Sequence, residues 1–259
     1  MGRQVGGGPQ FTFSKGLWRD VYLAALPAGG GAVEHVAPYV FHLGSYPTAP
    51  LTDATAGPWR VDVRVQLRGE GSGVLAVAGA WGGATNSTRL TLPGFSGNST
   101  VATVSLAVPQ GGAALWWPNE LGAQALSAVT ATWTPDAAPA GAASATRALG
   151  FRTFAVVTAD DTEPGALAGV DGSGNLTMRW KVNGADMFMR GADIIPMEVL
   201  DGRSSDVALR VMVNSAKDAH FNVLRVDGID TVSFAAPRTK KTNAPKKQTR
   251  TQTLPPPKP

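Results

Sequence analysis

From about Val33 to Val157 apolar residues recur with the short period of β-structure. Trp59, Val61, Val63, Val65 and Leu67 alternate with Arg60, Asp62, Arg64, Gln66 and Arg68, giving a strand with one apolar and one polar face. Similar short runs fall at Val74 to Ala80, Arg89 to Leu92, Val101 to Val108, Ala125 to Trp133 and Arg147 to Val157. Gly69-Glu70-Gly71, Gly82-Gly83, Pro93-Gly94 and Gly111-Gly112 read as the turns between them. About seven short strands over this length predict an immunoglobulin-like sandwich. Upstream, Phe11-Thr12-Phe13 and the alternating run from Gly16 to Leu23 predict a strand or two that cannot bury both faces of a sheet alone.

Past the sandwich the period changes. Residues 160 to 174 are an acidic, Gly-rich connector. Asn183-Gly184 predicts a two-residue hairpin turn, because both residues tolerate positive φ. Met187-Phe188-Met189 reads as a short apolar strand. Ser204 to Ala219 has helical spacing, with Val207, Ala208, Val211, Met212, Ser215, Ala216 and Ala219 on one stripe. Ser204 or Ser205 suits its cap, Asp206 its first turn and Lys217 its last. Residues 221 to 226 read as another buried strand. Strand, helix, strand at this spacing predicts a βαβ unit with parallel strands.

Composition limits the chemistry. The 259 residues contain no cysteine, so neither a disulfide nor a thiolate metal site can form. His35, His42 and His220 have no metal-ligand spacing, and no metal or cofactor is expected. No apolar run approaches the ~18 residues of a membrane span. Met1 to Gly8 lacks the apolar centre of a signal peptide. The net charge of +4 is a property of one end: residues 238–259 hold seven basic residues and no acid, leaving 16 basic against 19 acidic elsewhere. That Pro-, Lys- and Thr-rich stretch has too little apolar content to offset the entropy of ordering, so disorder is expected over 233–259. Asn86, Asn98 and Asn175 head N-x-S/T triplets that permit glycosylation if the chain is secreted.

One run carries a resemblance. Residues 182 to 196, VNGADMFMRGADIIP, followed by a helix and FNVLRVDG, resemble the opening of the catalytic barrel in glycoside hydrolase family 2, in β-mannosidases particularly. There the pattern is V-N-G-x-x-x-F-x-[RK]-G-x-N-x-I-P, a helix, then N-x-L-R-V-W-G-G. Asp193 stands for the pattern's Asn, and Asp227-Gly228-Ile229 for Trp-Gly-Gly. Trp116-Trp117-Pro118-Asn119 with Leu121-Gly122 and Gln124, and Gly150-Phe151-Arg152, resemble marks of that family's linking sandwich. Gly16-Leu17-Trp18-Arg19-Asp20-Val21 resembles the run that closes its sugar-binding jelly roll.

The resemblance implies a division into four parts: 1–27, a remnant of the jelly roll; 28–158, the sandwich; 159–232, linker, hairpin and the first βαβ unit of a (β/α)8 barrel; 233–259, the tail. The fold class expected is mainly β, a sandwich followed by an incomplete barrel start. The activity implied is retaining hydrolysis of terminal β-D-mannosyl residues, with a β-mannoside oligosaccharide as partner and no nucleic acid or membrane. A full-length relative fits a secretory, lysosomal or vacuolar location.

Such a glycosidase needs two carboxylates about 5–5.5 Å apart. The family's acid/base Glu follows an Asn-Asn pair, and its nucleophile sits in a Ser-Glu-Phe-Gly-like run; neither motif occurs among Glu34, Glu70, Glu120, Glu163 and Glu198. The chain by itself is therefore expected to be inactive, and no catalytic residue is assigned. Glu120 reads as an ordinary surface carboxylate of the sandwich. Arg225, at the end of the second barrel strand, is expected to support the nucleophile of an intact enzyme. Asp193 is expected to cap its loop or touch sugar hydroxyls. Arg190, ending the first strand, suits a structural role as well as a functional one. Trp116 and Trp117 suit packing, with sugar stacking as the alternative. Two other functions remain open: a non-catalytic sandwich that binds glycan or protein, and a nucleic-acid binder acting through the basic tail.

Overall fold

The computed structural model describes residues 2–4, 11–13, 21, 25–26, 29–94, 99–157, 178–194 and 205–226. Among the described residues thirteen strands and one α-helix run in chain order. Strands β1 (Gly2–Gln4) and β2 (Phe11–Phe13) pair antiparallel. The Gly16 to Leu23 run lies outside the described residues except for Val21, which is exposed.

The main body comprises β3 (Gly31–His42), β4 (Trp59–Gly79), β5 (Thr85–Pro93), β6 (Thr100–Val108), β7 (Ser127–Pro135) and β8 (Ala143–Leu149). It is organised by β4. Residues 59–69 of β4 pair with β3 and 59–67 with β6; residues 70–78 pair with β5 and 73–79 with β7, beyond which lies β8. The inward parity never breaks: Trp59, Val61, Val63, Val65, Leu67, Leu75 and Val77 are all buried. A strand that keeps one face inward while curling can close two sheets over one core.

The reading of Gly69-Glu70-Gly71 as a turn is corrected here. The ladder continues through these residues, and the expected strands on either side are halves of one 21-residue strand. Glycine belongs at the bend for another reason. A Cβ at Gly69 would lie 2.5 Å from the Gly30 oxygen, and Gly71 has φ +82°. Close backbone approach and left-handed geometry each favour a residue without a side chain.

The core is aromatic at its centre. The Phe151 ring lies edge-on to Trp59 at 5.6 Å and to Trp81 at 5.3 Å. Trp133 is fully buried in the same cluster. The expected single run from Arg147 to Val157 is two elements, because after Leu149 the chain leaves β8 and β9 (Phe154–Val157) joins another sheet.

That sheet is β9 with β10 (Arg179–Val182) and β11 (Ala185–Met187), all antiparallel. Asn183 (φ +51°) and Gly184 (φ +76°) make the hairpin turn. Strand β12 (Gly191–Ile194) runs parallel to β13 (Val223–Val226), joined through helix α1 (Asp206–Asp218). Ser205 caps the helix, with Asp206 in its first turn and Lys217 in its last.

Four local expectations are corrected. The apolar strand of the parallel pair is not Met187-Phe188-Met189 but Gly191–Ile194, with Phe188 exposed. Arg190 therefore precedes this strand instead of ending it. The half-buried side of α1 is Ala208, Leu209, Met212, Val213 and Ala216, while Val207 and Val211 face solvent. Strand β13 is half-buried at Val223 and Leu224 and exposed at Arg225 and Val226, not buried throughout.

Candidate functional site

The site is assembled where the hairpin and the parallel pair meet the sandwich. Asn183 is fully buried. Its backbone N–H donates to the Thr153 carbonyl at 3.1 Å and its carbonyl accepts from Leu51 N–H at 2.8 Å. Its side-chain Oδ1 accepts from Thr153 N–H at 2.9 Å, and Nδ2 donates to the Trp116 carbonyl at 3.0 Å. One turn residue thus engages three sandwich segments, and burial is tolerable because each polar group has a partner. Beside it Lys181, 5% exposed, donates from Nζ to the Thr48 carbonyl at 3.2 Å. A Cβ on Gly184 would lie 2.1 Å from the Ala49 oxygen, so only glycine fits this contact.

A second contact lies at the sandwich's Trp-Trp-Pro segment. Asn119 Nδ2 donates to the carbonyls of Lys217 at 3.3 Å and Phe221 at 3.1 Å, around the C-terminal end of α1. Glu120, at φ +67°, accepts from Arg190 Nη2 at 2.6 Å through one oxygen and contacts His220 Nδ1 through the other. The His220 hydrogen bond first, with desolvation opposing it and the Arg190 hydrogen bond adding to it, holds the Glu120 carboxyl below its usual range. Asn222 completes the corner, accepting from Arg190 N–H at 2.9 Å and donating to the Phe188 carbonyl at 3.0 Å.

These contacts gather at the N-terminal ends of β12 and β13. Toward the other end, Asp193 and Arg225 are register partners across the parallel pair, with Arg225 Nη1 donating to Asp193 Oδ2 at 2.8 Å. Both side chains are mostly exposed, 65% for Arg225 and 57% for Asp193. Arg225 retains further N–H donors for an oxygen-bearing ligand, and Asp193 a second oxygen. The carboxylate pair of glycoside hydrolysis is a different arrangement, since what Asp193 meets is a guanidinium.

Trp116 is half-buried, with the Arg152 guanidinium carbon 4.3 Å from its ring centre and Gly150 packed beside it. Trp117 is partly buried against the sandwich core, its indole beside Gly122. Asn86 is exposed on β5, its Nδ2 donating to the Ser105 carbonyl at 3.0 Å. Asn98 and Asn175 lie outside the described residues, as does the basic tail. Among the described residues no cluster of three or more His, Cys, Asp or Glu suits a metal, and no helix is long and apolar enough to cross a membrane.

Sequence reasoning missed the linking role of Asn183 and the Glu120–Arg190–His220 cluster. The Asn-Gly pair announces a turn and says nothing of what surrounds it. Glu120 meets partners 70 and 100 positions away, so no local spacing reports the contact.

No family model matches the chain. A β-mannosidase of Capra hircus is 26% identical over 230 residues, covering 85% of this chain and 23% of its own length. The β-mannosidase A of Neosartorya fischeri is 25% identical over 170 residues, 65% of this chain and 17% of its own length. The chain thus spans about a quarter or less of the length of these relatives. Among solved structures, a β-D-mannosidase from Dictyoglomus thermophilum superposes with a TM-score of 0.50 at 17% identity, covering 76% of this chain and 21% of its own. A β-glucuronidase from Bacteroides uniformis gives 0.52 at 15% identity, covering 84% of this chain and 23% of its own. The chain is β-mannosidase-like over a partial span, and its mainly β architecture fits a sandwich plus the start of a barrel.

Proposed function

We propose that this chain is the sandwich and barrel-opening part of a retaining β-mannosidase, acting on terminal β-D-mannosyl residues of oligosaccharides or glycoproteins without a cofactor. The observation that carries the reading is the parallel β12–β13 pair with Asp193 and Arg225 toward its C-terminal end, the end at which barrel enzymes place their active sites. In an intact enzyme Arg225 supports the nucleophilic carboxylate electrostatically. Asp193 holds that guanidinium in place and offers its free oxygen to a sugar hydroxyl.

The two carboxylates that break a glycosidic bond have no counterpart motif in these 259 residues. The polypeptide by itself is therefore proposed to hydrolyse nothing. Incubation with an aryl β-D-mannoside tests this, and turnover above buffer overturns it. The glycosidase reading is tested by grafting residues 178–226 in place of the aligned segment of a full-length β-mannosidase. The graft is expected to keep turnover and to lose it on Arg225→Ala. A folded graft whose turnover is indifferent to that substitution sinks the reading.

A further inference from the structure

We infer that the Asn119–Glu120 corner of the sandwich is a seat that positions the barrel's opening strand–helix–strand unit, with Glu120 as the positioning residue. A parallel pair of four-residue strands joined by one helix has too little core to hold itself, so its geometry must come from elsewhere. The corner supplies two complementary sets of contacts. The Asn119 amide donates to carbonyls at the end of α1 and just beyond, which an isolated helix leaves without partners. The Glu120 carboxylate accepts from Arg190, which leads into β12, and meets His220, which leads toward β13. One side chain therefore ties together both strand beginnings, and Asn222 fastens them to each other.

Glu120 and His220 both hold left-handed backbone conformations, at φ +67° and +61°. Non-glycine residues adopt these at a cost, and here two of the three described residues that do so face each other. The described titratable groups bonded to Glu120 are Arg190 and His220. Fixing the N-terminal ends sets the register through which Asp193 meets Arg225 two residues further along. That consequence for Arg225 rests on the glycosidase reading, whereas the seat does not.

Hydrogen exchange on the whole chain tests the seat without substrate. An Asp193→Asn background removes the carboxylate bonded within the strand pair. In that background, Glu120→Ala is expected to lower protection of the 192–194 and 223–226 amides on the order of tenfold at neutral pH, while β4 and β7 stay protected. Loss of protection in β4 and β7 as well would make Glu120 a general stability residue and overturn the proposal. With Glu120 intact, after correction for intrinsic exchange, the same protection is expected to fall as pH drops through the lowered range of this carboxyl. Glu120→Gln is expected to abolish that acid dependence. Unchanged protection in Glu120→Ala, or an acid loss that survives Glu120→Gln, overturns the inference.

Discussion

Asp193 and Arg225 stand opposite each other on neighbouring parallel strands, 2.8 Å from carboxylate oxygen to guanidinium nitrogen. Asp193, which stands for the Asn of the sequence pattern this run resembles, places a carboxylate against the guanidinium proposed to serve the nucleophile. Solvent weakens the pair, since both side chains are more than half exposed. A double-mutant cycle on Asp193→Ala and Arg225→Ala should give a coupling of about 0–1 kcal/mol, shrinking in high salt. A coupling of several kcal/mol would show that the pair is far better shielded than its exposure implies.

Removing the Asn183 side chain should be costly. Asn183→Ala leaves the Thr153 N–H and the Trp116 carbonyl without their side-chain partners and places alanine at φ +51°. A loss of about 2–4 kcal/mol in denaturant unfolding is expected. Asn183→Gly, which relieves the backbone cost but not the lost hydrogen bonds, should recover about 1 kcal/mol of this. Equal stability of both variants with the parent would deny the turn its linking role.

Two glycines separate conformation from contact. Gly184 and Gly82 have similar φ, +76° and +58°, but a Cβ at Gly184 meets the Ala49 oxygen at 2.1 Å while one at Gly82 meets nothing within 4 Å. Gly82→Ala should cost about 1–2 kcal/mol, the left-handed penalty alone. Gly184→Ala should cost more, because the hairpin must also move away from the 47–51 segment. Thermal unfolding of the two variants side by side decides this, and equal shifts would refute it.

Glu34 offers an acid-sensitive joint within the sandwich. Ser99 Oγ donates to one of its oxygens at 2.5 Å and Arg68 Nε to the other at 2.6 Å. These bonds, Ser99 first, hold its carboxyl below the ordinary value. A depressed folded-state pKa means that the added stability is complete above the unfolded value and disappears as pH falls through the folded one. Glu34→Gln should therefore lower stability near neutrality and flatten the acid limb of the unfolding midpoint against pH. An acid limb identical to the parent's would remove Glu34 from the account.

The elements governed by local chemistry were legible in the sequence. The alternation from Trp59 to Leu67, the Asn183-Gly184 turn and the parallel strands around α1 all follow from short-range patterns, and the mainly β class fits the solved relatives. Features set by distant partners were not. Gly69 and Gly71 carry the composition of a turn, yet the ladder runs through them because β3 and β5 lie close enough to pair on either side. Strand β3 was not singled out because Pro38 and the irregularity between Val33 and His35 break its alternation, which an edge strand tolerates. In the candidate site, the sequence marked Asp193 and Arg225 singly, and the pairing that brings them together appears only in the register. Glu120 looked like any surface acid because both of its partners come from the far side of a long connection.

Strand β4 hands one continuous backbone from the first sheet to the second. Sliding one layer over the other would therefore have to stretch a covalent chain, not merely shear a greasy interface. Under tension the two layers should yield together, in a single event, giving the downstream hairpin a rigid anvil on which to fold.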